Sequence, residues 1–372
     1  MTIRSPKLEK NVQKETDRAG DISAPQSSTT SATTSPKPAA LGGGNRSEQW
    51  RRLGRQGANS SAAYMLGVLV ALCLVFSVLA PDSFPTTGNI RNLVVDTSIF
   101  AVMAVGMTYV MVAAGFDLSI GSVLVFAGIC AAKTMEWVGG QGYFAVLAGL
   151  AAALLGGTAW GAFNALCVTK LRVPALITTL GTLGAALGVA NLMTNGNDIP
   201  VTQKSMIHLA VVDYLGLPLI VWAAVAVLLA GGTVLRHTRF GRHTYLIGSN
   251  EEGARRSGIR VDAHLIKLYA LSGLFAGLAG MMSLLRFSTT TVGGHSQDAL
   301  TVITGVILGG TSLYGGAGSV LGTLIGILVP TVLQNGLVVL DVQPFWQNVA
   351  VGFILIAAVY LDQVKRRARD RR

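Results

Sequence analysis

The sequence predicts an all-α, polytopic membrane helical bundle of about ten transmembrane helices with both termini cytosolic. Three observations carry that expectation. Hydrophobic residues make up 51% of the 372-residue chain and charged residues only 13%, where soluble domains carry about 25% charged residues. From about residue 62 onward, apolar runs of ~17–23 residues recur, the length that crosses ~30 Å of hydrocarbon. The basic residues, which give a formal charge of +11, concentrate at the two ends of the chain and in alternate loops. A membrane β-barrel would need ~10-residue alternating segments, and these are absent.

Residues 1–61 come before the first run and are rich in Ser, Thr, Pro, Gly, Lys and Arg. A stretch such as Ser27-Ser28-Thr29-Thr30-Ser31-Ala32-Thr33-Thr34-Ser35-Pro36 cannot bury enough apolar surface to order itself. A disordered, basic cytosolic tail is expected, either a dispensable extension or a regulatory or lipid-surface segment. It is not a signal peptide, because no apolar h-region falls within the first ~30 residues. The expected spans are 62–80, 93–114, 118–132, 143–166, 174–194, 217–235, 266–285, 299–314, 319–340 and 345–361. Together they make a transmembrane domain over 62–362. The long charged interruption is 236–267, and 363–372 forms a basic C-terminal tail.

Orientation follows from lysine and arginine. The N-terminal tail, Lys170 and Arg172, the 236–267 loop with Lys267, and the C-terminal tail hold all but four of the 29 basic residues. Arg91, Lys133, Lys204 and Arg286 are left for the opposite side. Membrane orientation therefore explains the charge. Nucleic-acid binding does not, since the basic tails lack interleaved aromatics.

The two short spans each border a glycine-rich polar break. One is Ala114-Gly115-Phe116-Asp117-Leu118-Ser119-Ile120-Gly121-Ser122. The other is Gly309-Gly310-Thr311-Ser312-Leu313-Tyr314-Gly315-Gly316-Ala317-Gly318-Ser319. Irregular backbone in lipid is tolerated only where protein or a water-filled cavity satisfies it, so such breaks point to a translocation path. A tight turn that lets helices pack closely is the competing reading, and both stand at this point. The candidate path residues are Asp117, Ser119, Gly121 and Ser122 in the first break and Thr311 and Ser312 in the second. An acid at membrane depth is a functional candidate, but Asp117 is equally placed to cap a helix start. Asp298, just before a span, reads as a cap. Arg286 either snorkels to the interface or meets an acidic partner. Glycines at four-residue spacing, such as Gly157/Gly161, Gly184/Gly188, Gly273/Gly277, Gly305/Gly309 and Gly318/Gly322/Gly326, predict close helix packing and a compact bundle.

Within 236–267, Asn250 to Ile259 reads as a short amphipathic helix. Glu251 and Glu252 start it, favourable against the helix dipole, Arg255 and Arg256 fall in its last turn, and Gly258 ends it. It is either a handle for a soluble partner or a plain solvated loop helix. No catalytic signature appears. A Gly-x-x-x-x-Gly-Lys-Ser/Thr loop is missing, so the chain is not expected to bind ATP itself. The histidines form no metal-binding cluster. Cys73, Cys130 and Cys167 are too far apart for a metal motif and read as small core residues.

Several stretches together resemble the permease subunit of bacterial sugar ABC importers, the ribose/xylose/galactoside branch of binding-protein-dependent transport permeases. They are Ala104–Thr108, Gly115–Ser122, Pro174–Leu183, Gly309–Gly316, Gln334-Asn335-Gly336-Leu337 and Pro344-Phe345-Trp346-Gln347. The resemblance covers roughly 62–362. It implies that Asn250, Glu251, Glu252, Gly253, Ala254 and Gly258 form an EAA-like segment docking on an ATPase. Gly253 stands where that family has alanine, which weakens the helix by ~1 kcal/mol, and Arg256 replaces an apolar residue. Ala113 and Ala114 replace two small polar positions ahead of the acidic motif.

The resemblance further implies separate ABC ATPase subunits holding ATP and Mg, a periplasmic sugar-binding protein, a second permease copy and an inner-membrane location. Arg286 and Asp298 become candidate contacts for the binding protein. A proton-coupled secondary transporter is the rival class, though it would need more intramembrane acids than Asp117. A receptor or scaffold is the third reading, and an importer of a nucleoside or polyol is a close variant.

Overall fold

The computed structural model describes residues 64–295 and 297–370, all within the compact unit Trp50–Arg372. The expected tail 1–61 lies outside the described residues. The helices run α1 (Tyr64–Leu79), α2 (Thr87–Val112), α3 (Ile120–Val138), α4 (Tyr143–Thr169), α5 (Ala175–Thr194), α6 (Lys204–Val211), α7 (Leu219–His237), α8 (Arg239–Ser249), α9 (Glu251–Arg256), α10 (Val261–Phe287), α11 (Asp298–Leu308), α12 (Val320–Val339) and α13 (Pro344–Asp370). Two-residue strands β1 (Asp213–Tyr214) and β2 (Leu217–Pro218) pair antiparallel between α6 and α7.

Among the described residues, seven helices, α2, α3, α4, α5, α7, α10 and α12, are long and apolar enough to cross a membrane. Shorter apolar helices, α1, α11 and the Pro344–Tyr360 part of α13, fall on the other expected spans. The chain is thus the helical membrane bundle the composition predicts, with three adjustments. The span expected at 118–132 runs on to Val138, and the one expected from 93 starts at Thr87. The span expected at 299–314 is not a continuous helix. Its helix stops at Leu308 after 11 residues, about 16 Å at 1.5 Å per residue, roughly half of the ~30 Å hydrocarbon. Gly310, Gly315 and Gly316 then take φ of 89°, 82° and 73°, which turns the chain. Hydropathy alone reads through such a turn, because glycine and leucine score as apolar whether or not the backbone is helical.

The core centres on α2, which is buried almost continuously from Val95 to Val112. The glycine seams form as predicted at two crossings. Between α4 and α10, a Cβ at Gly161 would lie 2.1 Å from the Tyr269 carbonyl oxygen, and one at Gly273 would lie 2.1 Å from that of Gly157. Between α11 and α12, a Cβ at Gly326 would lie 2.1 Å from the Gly305 oxygen. In these seams backbone meets backbone, so helix association rests on dispersion contacts rather than large side chains. Gly184 and Gly188 on α5 meet nothing within 4 Å. Hydroxyl pairs Thr97–Thr331 (3.2 Å) and Thr108–Thr323 (2.7 Å) join α2 to α12, each worth roughly 0.6 kcal/mol in a membrane protein.

The charge asymmetry has a structural counterpart. At one end, the α4–α5 turn with Arg172 and the α9–α10 corner with Glu251, Arg255 and Asp262 line one groove of about 510 Å³. At the other, Arg91 pairs with Asp213 of the β-hairpin, Arg286 pairs with Asp96, and the Lys204 backbone binds Gln141. Among the described residues, the basic α4–α5 turn and the α9–α10 corner therefore sit at one end of the bundle and Arg91, Lys204 and Arg286 at the other.

Candidate functional site

The segment Asn250–Ile259 folds as its sequence predicts. Asn250 Oδ1 accepts the Gly253 N–H at 2.8 Å, which closes the N-terminus of α9. Glu251 pairs with Arg255 at 2.9 Å and Glu252 with Arg256 at 3.0 Å, both at i,i+4 spacing. Arg255 also reaches Asp262 at 2.6 Å. Asp262, then Glu251, hold the Arg255 guanidinium above its usual range, so it stays charged. At the C-terminal end the Ile259 N–H bonds back to Ala254 O and the Gly258 N–H to Arg255 O. Gly258 supplies φ of +82°, the left-handed turn that ends a helix without steric cost. Ala254 is 4% exposed and roots α9 in a cluster with Tyr109, Leu235, Val261 and Leu268. The glutamates and arginines face outward. The helix therefore has a packed root and a charged, open face.

The preceding α8, unforeseen in the sequence, anchors α9 to the bundle. Gly241 allows the corner out of α7, since a Cβ there would lie 1.9 Å from the Leu235 oxygen. Thr244 Oγ1 and His264 Nε2 lie 2.8 Å apart and tie α8 to α10. Tyr245 donates its hydroxyl to the Gly318 carbonyl at 2.7 Å, and burial holds that phenol above its usual pKa, so it remains a donor. A Cβ on Gly248 would lie 1.8 Å from the Val112 oxygen and 2.7 Å from the Gly316 nitrogen. The Gly316 N–H in turn donates to Val112 O at 2.8 Å. A Cβ on Gly315 would sit 2.8 Å from both Ala114 Cβ and Gly248 O. The two glycine-rich breaks, at 114–122 and 309–319 in the sequence, thus meet each other beneath α8.

Asp117 lies in the first of these breaks and is 2% exposed. Its Oδ1 accepts both the N–H (3.1 Å) and the hydroxyl (2.6 Å) of Ser119. Its Oδ2 accepts the Ser272 hydroxyl at 2.8 Å. Asn164 Nδ2 donates to Ser119 Oγ at 2.8 Å, and Tyr269 donates to Phe116 O at 3.1 Å. Ser119 itself is the N-cap residue of α3 but makes no side-chain cap bond; Asp117 takes the free N–H instead. The capping reading is therefore right in kind, and the same carboxylate also fastens the break to the middle of α10, where Ser272 is the twelfth of 27 residues. Ser122 bonds Ser119 O at 2.7 Å. Gly121 lets the His295 carbonyl approach, with 3.0 Å to its would-be Cβ. In the second break Thr311 is fully buried, its Oγ1 without a partner among the described residues. Ser312 Oγ accepts the Tyr314 N–H at 3.2 Å. The candidate path residues therefore fall into two clusters around α2's C-terminal end and α3's start, with Asp117, Ser119, Gly121, Ser122 and Thr311 buried and Ser312 half-buried.

At the opposite end Arg286 bonds Asp96 Oδ1 at 2.9 Å and Asn92 Oδ1 at 3.2 Å, so it meets an acidic partner rather than only snorkelling. Asp298 corrects the expectation of a cap. It is the first residue of α11, not its cap, and among the described residues no side chain caps that helix. It is 8% exposed, with its carboxylate on His295 Nδ1 while His295 Nε2 meets Ser283 at 2.9 Å. Tyr245, Gly248, Ser272, Asn164 and His295 were not singled out from sequence. Only Gly248, a glycine inside a polar helix-like run, left a readable trace.

Residues 89–359 match the family described as branched-chain amino acid transport system / permease component. The chain is 39% identical to the ribose import permease protein RbsC of Escherichia coli over 302 residues, 80% of this chain and 92% of that protein. It is 34% identical to the L-arabinose transport system permease protein AraH of the same organism over 310 residues, 82% and 91% of the two chains. The D-allose transport system permease protein AlsC of Escherichia coli is 32% identical over 301 residues, 81% and 90%. No solved structure matches the chain.

Proposed function

Because the chain belongs to the family of branched-chain amino acid transport system permease components, we propose that it is the inner-membrane permease subunit of an ATP-driven importer of a monosaccharide, a pentose or hexose. The relatives' names give ribose, arabinose and allose as cargo, which favours a sugar here over the amino acid of the family description. ATP and Mg belong to separate ABC ATPase subunits. A periplasmic binding protein delivers the sugar to the end that carries Arg91 and Arg286. The observation that carries this reading is α9: a capped helix with a buried root and four charged side chains exposed at the basic end of the bundle.

In this mechanism the ATPase grips α9, and its closure moves that helix. The bundle then alternates between outward- and inward-open forms as ATP binds and ADP leaves. Asp117 and its partners hold the break ahead of α3 in register during the change, and the glycine seams let helices slide at close range. A second copy of the chain completes the path. The open glycine face of α5, where Gly181, Gly184 and Gly188 meet nothing, supports a helix-to-helix contact there.

The test is uptake of labelled sugar into proteoliposomes that hold the chain with its candidate ATPase. Uptake that requires both internal ATP and the binding protein is expected. Uptake driven by a pH gradient without ATP would replace this reading with a proton-coupled transporter. Competition by a nucleoside or polyol, with none by sugars, would move the cargo class.

A further inference from the structure

Resting on the docking of α9 proposed above, the geometry points to α8 as the transmission element, with Tyr245 and Gly248 as positioning residues that tie motor movement to both glycine breaks at once. Three contacts converge on this one helix. Tyr245 bonds Gly318 O in the second break at 2.7 Å. Gly248 seats directly on Val112 O, where the first break begins, and on Gly316 N in the second. The Val112 oxygen is shared, since Gly316 N–H also donates to it at 2.8 Å. One residue, Asn250, separates α8 from α9, and it is the cap of α9. A displacement of α9 is therefore carried by α8 rather than absorbed in a slack linker.

The far side of the joint explains what is moved. The first break leads within a few residues to Asp117 and the start of α3. The second joins the half-length α11 to α12. Both α3 and α11 begin inside the bundle rather than at its surface, with Ile120 fully buried and Asp298 8% exposed. Shifting the shared Val112–Gly248–Gly316 contact moves the inner ends of α2, α11 and α12 together. By contrast, α9 meets the bundle through its buried root Ala254 and through Arg255, which pairs with Asp262 of α10. Grip and transmission are thus divided between two consecutive helices.

The test measures ATP hydrolysis and sugar uptake in the same proteoliposomes, with the complete transporter and saturating loaded binding protein. Their ratio, sugar moved per ATP, does not change when copies merely misfold, because both rates then fall together. Tyr245→Phe keeps the ring and loses the bond to Gly318. One net hydrogen bond shifts a two-state balance by about two- to tenfold, so the ratio should fall by about that factor with ATP turnover retained. Gly248→Ala, which adds a Cβ against Val112 O, should lower the ratio further in the fraction that assembles. A sugar-per-ATP ratio equal to wild type in both variants, read on the fraction that assembles, would overturn the role of α8. If the wild-type chain stimulates no ATPase, docking itself fails and this proposal falls with it; that outcome is separated from the others by the wild-type arm.

Discussion

Replacing Asp117 separates a fastening role from a role for its charge. Asp117→Ala removes the acceptor of three donors: the Ser119 N–H, the Ser119 hydroxyl and the Ser272 hydroxyl. Ser272 lies within a helix and can turn its hydroxyl to a carbonyl one turn earlier, as Thr108 does with Ala104 at 2.6 Å. The two Ser119 donors are left buried at about 1–3 kcal/mol each, so the alanine variant should lose about 2–5 kcal/mol overall. Asp117→Asn is nearly isosteric. Its amide oxygen keeps the Ser119 pair, and its N–H₂ donates to Ser272 Oγ, which rotates to accept. The cost should stay below about 1 kcal/mol. Thermal unfolding in detergent reads the difference: the midpoint of the alanine variant should drop by at least several degrees, at about 2–4 °C per kcal/mol, while that of the asparagine variant stays near wild type. Asparagine should also retain sugar uptake. An alanine variant as stable as wild type would refute the fastening role. A stable asparagine variant without uptake would show that the charge itself is needed.

Two further outcomes follow from packing. Gly273→Ala places a Cβ 2.1 Å from the Gly157 oxygen, which forces α4 and α10 apart; overpacking of this kind costs about 1–3 kcal/mol, and the melting temperature should fall accordingly, whereas the same change at Gly67 of α1, where a Cβ meets nothing within 4 Å, should not lower it. Ala254→Asp buries an unpaired carboxylate at the root of α9, so co-purification of the ATPase should be lost while the membrane subunit keeps its monodisperse elution.

The sequence made the local features legible and left the long-range ones hidden. α9 could be read because its stop and start signals are chemical and adjacent: Asn250, the glutamate and arginine pairs, and Gly258. The seams at Gly157/Gly161 and Gly273/Gly277 were readable from spacing, although spacing could not say that α4 and α10 were partners, nor that Gly184 and Gly188 would remain open. Both breaks were visible as glycine-rich interruptions, but their meeting beneath α8 depends on tertiary contacts between residues such as Val112 and Gly316. α8 was missed because its arginines were read as a topology signal, which they also are. Asp298 was misread because an acid ahead of an apolar run looks like a cap, and nothing local announces that His295 will claim its carboxylate.

The central claim is that a soluble ATPase drives this chain through α9. It is tested most directly by ATP hydrolysis in proteoliposomes holding the permease and its ATPase, with and without sugar-loaded binding protein, comparing wild type with Glu252→Arg. Glu252 is exposed and among the described residues pairs only with Arg256, a contact worth about 0.3–0.5 kcal/mol, so the variant should fold normally. The account predicts turnover stimulated by the loaded binding protein in wild type and lost in the variant. Full stimulation in a folded Glu252→Arg transporter would contradict it.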